Sequence, residues 1–127
     1  MVVLTVLHLL RVFYFGAYKY PREATWITGV ILLLVVIGFG FTGYLLPWDQ
    51  KSFWATTVGT QIAGLAPFVG DSLLRIARGG RDISAVTLAR FFGTHVWVLP
   101  ATLAMLIGIH LYLVIRIGIT AVPKKDE

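Results

Sequence analysis

Residues 24 to 46 run for 23 positions without a formal charge, and residues 91 to 115 run for 25 in the same way. A helix rises about 1.5 Å per residue, so either run covers the roughly 30 Å of a bilayer core. In hydrocarbon the backbone N–H and C=O groups must find partners inside the segment, which leaves helix as the state of such a run. The expectation is an all-α membrane protein, a transmembrane helical bundle. A hydrophobic fraction of 57% and a mean hydropathy of +0.82 exclude an ordinary soluble domain. The length of 127 residues leaves room for three or four spans and no separate soluble domain.

A third apolar stretch, Val2 to Phe15, is interrupted by His8 and Arg11 and is too short to span. It reads as the second half of a spanning helix. Met1 runs into it without a basic leader, so no cleavable signal peptide is expected. Between the two long runs, residues 47 to 87 hold the turn formers Pro47, Pro67, Gly79 and Gly80. Two partly apolar stretches there, Ser52 to Gly64 and Val69 to Ala77, predict short helices on the membrane surface. The exit from the first span, "GFTGYLLPWDQKSFW", is crowded with Tyr44, Trp48, Phe53 and Trp54.

The formal charge of +5 belongs to loops that flank apolar runs, which suits a membrane surface rather than nucleic acid. Arg11, Lys19 and Arg22 cluster before the first long span, and Arg116, Lys124 and Lys125 follow the second. Both clusters are expected on one face, the cytoplasmic face or its equivalent, with residues 47 to 87 opposite. Cysteine is absent, which excludes disulfides, thiolate metal sites, cysteine nucleophiles and heme attachment through the chain's own thiols.

The three histidines, His8, His95 and His110, all lie inside apolar stretches. A hydrogen bond to a neighbouring helix would account for one such residue. Two on one helix ask for more, because ionisable groups in a membrane are costly and mark function. His95 and His110 are 15 residues apart, which on a helix is about 60° around the axis and about 22 Å along it. That is too far to share one ion, but it suits two stacked hemes with imidazole ligands. Gly29 and Gly43 are 14 apart on the other long run, nearly on one face and about 21 Å apart. Glycines there make room for a planar group, although close helix packing alone also favours small residues.

The motifs "YKYPREATWITGVILL", "GFTGYLLPWDQKSFWATTV", "TLARFFGTHVWVLP" and "HLYLVIRIG" resemble the heme-binding half of cytochrome b, over essentially the whole chain. The 15-residue histidine spacing is similar to the split form, cytochrome b6. The resemblance implies an electron-transfer subunit of a quinol:cytochrome c (or plastocyanin) reductase, in a bacterial inner membrane or another energy-transducing membrane. It implies the end of helix B at residues 1–16, helix C at 24–46, surface helices over 52–77 and helix D at 88–117. His8 and His110 would ligate the high-potential heme, with Arg11 facing its propionates. His95 would ligate the low-potential heme. Gly29 and Gly43 would pack against the two hemes, and Tyr44, Trp54 and Ala55 would belong to the quinol-oxidation site.

The implied cofactors are two b-type hemes in the complex, one of them fully ligated by this chain, with quinol as substrate. The implied partners are lipid, a Rieske-type iron–sulfur protein, a c-type cytochrome and a subunit carrying the remaining cytochrome b helices, in a dimeric complex without nucleic acid. The family also has a helix A and a further histidine about four helical turns before His8, ahead of Met1. These are expected outside the 127 residues, cut from the start or carried by a partner. The alternative is a decayed paralogue or structural subunit holding one heme or none. No acid/base pair stands out, so this chain alone is not expected to be a complete enzyme, and the two spans carry too few polar residues to line a channel.

Overall fold

The computed structural model describes residues 1–120. Lys124 and Lys125, expected on the same face as Lys19, lie outside the described residues. Every described element is helical: α1 (Val2–Tyr14), α2 (Glu23–Tyr44), α3 (Gln50–Gly64), α4 (Gly70–Arg78), α5 (Ala85–Gly93), a π-helical turn (Thr94–Val98) and α6 (Leu99–Ile117). Among the described residues, two helices are long and apolar enough to cross a membrane: α2, and the continuous helix Ala85–Ile117. This is an all-α membrane fold. Large side chains along both, such as Leu34, Ile37, Leu111 and Ile115, are exposed, which suits helices solvated by lipid.

The boundaries differ from the sequence reading by a few residues, for local reasons. α2 stops at Tyr44 rather than Leu46, because Pro47 disfavours helix at the residue before it and removes a donor. α3 begins at Gln50 rather than Ser52, under a capping box in which the Ser52 N–H donates to Asp49 Oδ1 at 2.7 Å and the Asp49 N–H donates to Ser52 Oγ at 2.9 Å. The bond from the Ser52 backbone also holds the Asp49 carboxyl below the usual carboxylate range. The last long helix begins at Ala85 rather than 88, under a second box between Ser84 and Thr87.

That last helix is not uniform either. Pro100 has no N–H to offer the carbonyl four residues back, and its ring crowds that carbonyl. The ladder relaxes there into the wider turn Thr94–Val98, where the Leu99 N–H donates to Thr94 O. π-helical turns of this kind recur at functional sites.

The chain divides into two compact units, Met1–Ile37 with Ala101 onward, and Gly38–Pro100. In the second, α3 packs on α4, and the buried side chains are mostly small and polar: Ser52, Thr56, Thr60 and Thr87. Gly70 is needed for the close approach, since a Cβ there would run into the Gly64 carbonyl.

Arg78 is 5% exposed and holds this unit together. Its Nε donates to Thr60 Oγ1 at 2.8 Å, Nη2 to the Thr57 carbonyl at 2.9 Å and Nη1 to the Arg81 carbonyl at 2.7 Å. Its own carbonyl accepts from Thr87 Oγ1 at 2.6 Å. Gly79, at φ +79°, closes α4 in the left-handed conformation that glycine adopts without strain. Arg90 donates to the carbonyl of Ile76. Guanidinium-to-oxygen bonds thus tie α4 to α3 and to α5.

Candidate functional site

In the first unit, α1, α2 and α6 surround a cavity of about 280 Å³ that His8, Arg11, Arg22, Thr25, Gly29 and His110 help to line. Most of its wall is apolar, as in cofactor sites generally. Thr28 Oγ1 lies 2.9 Å from His110 Nδ1, and the same hydroxyl donates to the Thr25 carbonyl at 2.9 Å. A Cβ on Gly29 would sit 3.2 Å from His110 Cε1, so the missing side chain is what admits the imidazole edge. The glycine expected to make room for a flat cofactor first makes room for the histidine.

Two guanidinium groups border this cavity. Arg11 also lies 6.0 Å from the Phe15 ring centre. Arg22 donates to the carbonyls of Gly118 and Ile119, at 3.1 and 3.4 Å, just past the end of α6. A cation there also complements the negative end of the helix dipole. The hydroxyl of Thr25 is buried and has no hydrogen-bond partner among the described residues.

In the second unit, His95 sits in the π-helical turn. Thr42 Oγ1 lies 3.0 Å from its Nδ1 and donates to the Gly38 carbonyl at 2.8 Å. The Phe39 ring meets the imidazole edge-on at 5.2 Å between centres. A Cβ on Gly43 would sit 2.8 Å from His95 Cε1, closer than real Cβ contacts come, whereas one on Gly38 would meet Leu99 at an ordinary 3.7 Å. Gly43 and Tyr44 line a shallow groove with Pro47, Asp49 and Lys51. Trp54 and Ala55 are exposed on α3 and are not among the residues lining that groove.

The described residues hold no group of three or more His, Cys, Asp or Glu side chains able to share a metal ion. Two imidazoles at one cavity, His8 and His110, match a metal whose other ligands come from a macrocycle. The two arginines match a cofactor with acidic edges.

Several of these residues escaped the sequence reading. Thr28 and Thr42 carried a signal: each precedes one of the two glycines, so a Thr–Gly pair recurs at 14 residues. The histidines recur at 15, and the wider turn around His95 accommodates the odd residue. Arg22 and Thr25 carried none, because their role depends on which side chains surround them.

The family model described as cytochrome b (N-terminal)/b6/petB matches residues 1–127. The chain is 50% identical, over 120 residues, to the menaquinol:cytochrome c reductase cytochrome b subunit of Geobacillus thermodenitrificans, covering 94% of this chain and 54% of that protein. It is 42% identical to cytochrome b6 of Synechococcus elongatus, covering 94% of this chain and 56% of that one. Among solved structures it is similar to a chain of a hyperthermophilic respiratory complex III, at 38% identity and a TM-score of 0.84, covering 99% of this chain and 36% of that one. The chain therefore spans about half the length of the curated relatives it matches.

Proposed function

This chain belongs to the cytochrome b (N-terminal)/b6 family, and we propose that it serves as a membrane-embedded electron-transfer subunit of a quinol-oxidising complex. The observation that carries the reading is the meeting of His8 and His110 at one apolar cavity bordered by two arginines. The names of the relatives, a menaquinol:cytochrome c reductase subunit and a cytochrome b6, support it.

His8 and His110 would hold the iron of one b-type heme from α1 and α6. Arg11 and Arg22 would neutralise its carboxylates. His95 would supply one ligand to a second heme, its other ligand coming from outside these 127 residues. When bound, the hemes supply reversible one-electron carriage. The chain's own contribution is to fix imidazoles, lower the local dielectric and exclude water. Tyr44, Trp54 and Ala55, around the exit of α2, would wall a quinol site completed by another subunit. A Rieske-type protein, a c-type cytochrome and a chain with the remaining helices would complete the complex, in a bacterial inner membrane or an equivalent membrane.

The purified complex should show two b-type hemes per copy of this chain by pyridine hemochrome, both reduced on addition of quinol. A complex with no heme, or hemes that quinol leaves oxidised, would contradict the reading. Gly43 gives a sharper version. Alanine is ordinarily about 0.5–1 kcal/mol better than glycine inside a helix, so Gly38→Ala should be neutral or mildly stabilising. Gly43→Ala should displace His95, because its Cβ would lie 2.8 Å from Cε1. Loss of the His95 heme in Gly43→Ala alone, read from the absorbance bands, is the expected outcome. Equal behaviour of the two variants would remove Gly43 from the site.

A further inference from the structure

The two threonine hydroxyls point to a function of their own. Thr28 Oγ1 has two close polar neighbours, the Thr25 carbonyl at 2.9 Å and His110 Nδ1 at 2.9 Å. Thr42 Oγ1 likewise has the Gly38 carbonyl at 2.8 Å and His95 Nδ1 at 3.0 Å. A hydroxyl owns one proton. If that proton went to the imidazole, the hydroxyl oxygen and the backbone carbonyl would face each other at hydrogen-bond distance with no hydrogen between them. Both contacts are satisfied only if the hydroxyl donates to its own helix carbonyl and accepts the Nδ1–H of the histidine. That arrangement fixes the tautomer and leaves Nε2 as the lone-pair nitrogen. No hydrogen bond to Nε2 of His95 or His110 occurs among the described residues.

We propose that Thr28 and Thr42 are positioning residues that lock His110 and His95 in the Nδ1–H tautomer, presenting Nε2 to a heme iron and tuning its potential. The inference rests on the heme-binding reading above and goes beyond it, because it assigns a role to two residues that act through the imidazoles. Each threonine is followed by the glycine that admits the same imidazole, Gly29 or Gly43. Each Thr–Gly pair is therefore a built seat for one ring: the hydroxyl sets its rotation and the glycine its approach. A hydrogen bond from Nδ1–H makes the ligating nitrogen more electron-rich, and such outer partners change metal affinity by about 10–100-fold. A neutral hydroxyl belongs at the lower end. The oxidised iron gains more than the reduced iron from a richer ligand, so loss of the bond should raise the midpoint potential.

The test is a potentiometric titration of the intact complex carrying Thr42→Val or Thr28→Val. Valine matches threonine in shape, so packing is kept while the acceptor is lost. Thr42→Val should raise the potential of the His95 heme, and Thr28→Val that of the His110 heme, leaving the other heme in place each time. A tenfold change in the preference for oxidised over reduced iron corresponds to about 59 mV for one electron. Thr→Ser at either position should restore the original value, because the hydroxyl remains. Unchanged potentials in both valine variants, with both hemes bound, would overturn the inference and leave the heme reading intact. Absence of low-spin heme from the unsubstituted complex would overturn both.

Discussion

Replacing Arg78 with methionine is expected to cut the hydrogen-exchange protection of α3 and α4 by roughly 100-fold. The guanidinium is 5% exposed and bonds three oxygens that share no other side-chain cation, on Thr57, Thr60 and Arg81. Hydrogen bonds from a charged donor are worth about 1.5–3 kcal/mol each and do not add simply. Breaking a buried hydrogen-bond network of this kind is a recognised route to large destabilisation. A combined loss of about 3 kcal/mol, at 1.4 kcal/mol per tenfold, gives the 100-fold figure. Exchange is the suitable probe because it reads local opening rather than global unfolding. Arg78→Lys should recover part of the protection, since an ammonium keeps the charge but cannot reach all three oxygens in the fixed fork of a guanidinium. Protection in α3 and α4 unchanged in Arg78→Met would show that helix packing alone holds these segments.

The same contrast explains what could be read from the sequence. The spans were legible because hydrocarbon imposes a single rule on a long uncharged run, and Ala24 to Leu46 obeys it without exception. Pro47 marked the exit because its effect is local. His95 and His110 stood out as candidates because no formal charge interrupts their long run, and His8 because it lies in an apolar stretch. Family resemblance, rather than spacing, supplied the pairing of His8 with His110.

The illegible features depend on partners distant in sequence or on rules that leave a faint trace. The start of α5 was missed because its cap pairs Ser84 with Thr87, not with the acidic residue that usually signals a capping box. The π-helical turn was missed because Pro100 alone reads as a kink, and only the mismatch between spacings of 14 and 15 hints at an extra residue. Nothing adjacent to Arg78 in the sequence signals that it is buried. Its burial follows from α3 and α4 packing through Gly64 and Gly70, which composition does not reveal. Thr28 and Thr42 looked like ordinary helix residues until a ring nitrogen was found within 3.0 Å of each hydroxyl.

The pairing of His8 with His110 is the claim on which the functional account turns, and its loss would have the largest effect on the complex. Both line the cavity that Arg11 and Arg22 also line, and Gly29 admits the His110 ring. Bis-imidazole ligation by these two would fail completely when either is removed, because one axial bond cannot keep the iron low-spin. His8→Ala and His110→Ala should therefore be examined in the intact complex by low-temperature absorbance and electron paramagnetic resonance. Each variant should lose the same low-spin heme signal, leaving identical residual spectra from the heme at His95. Loss of two different signals would contradict the shared iron, and retention of both signals in either variant would remove that histidine from the site.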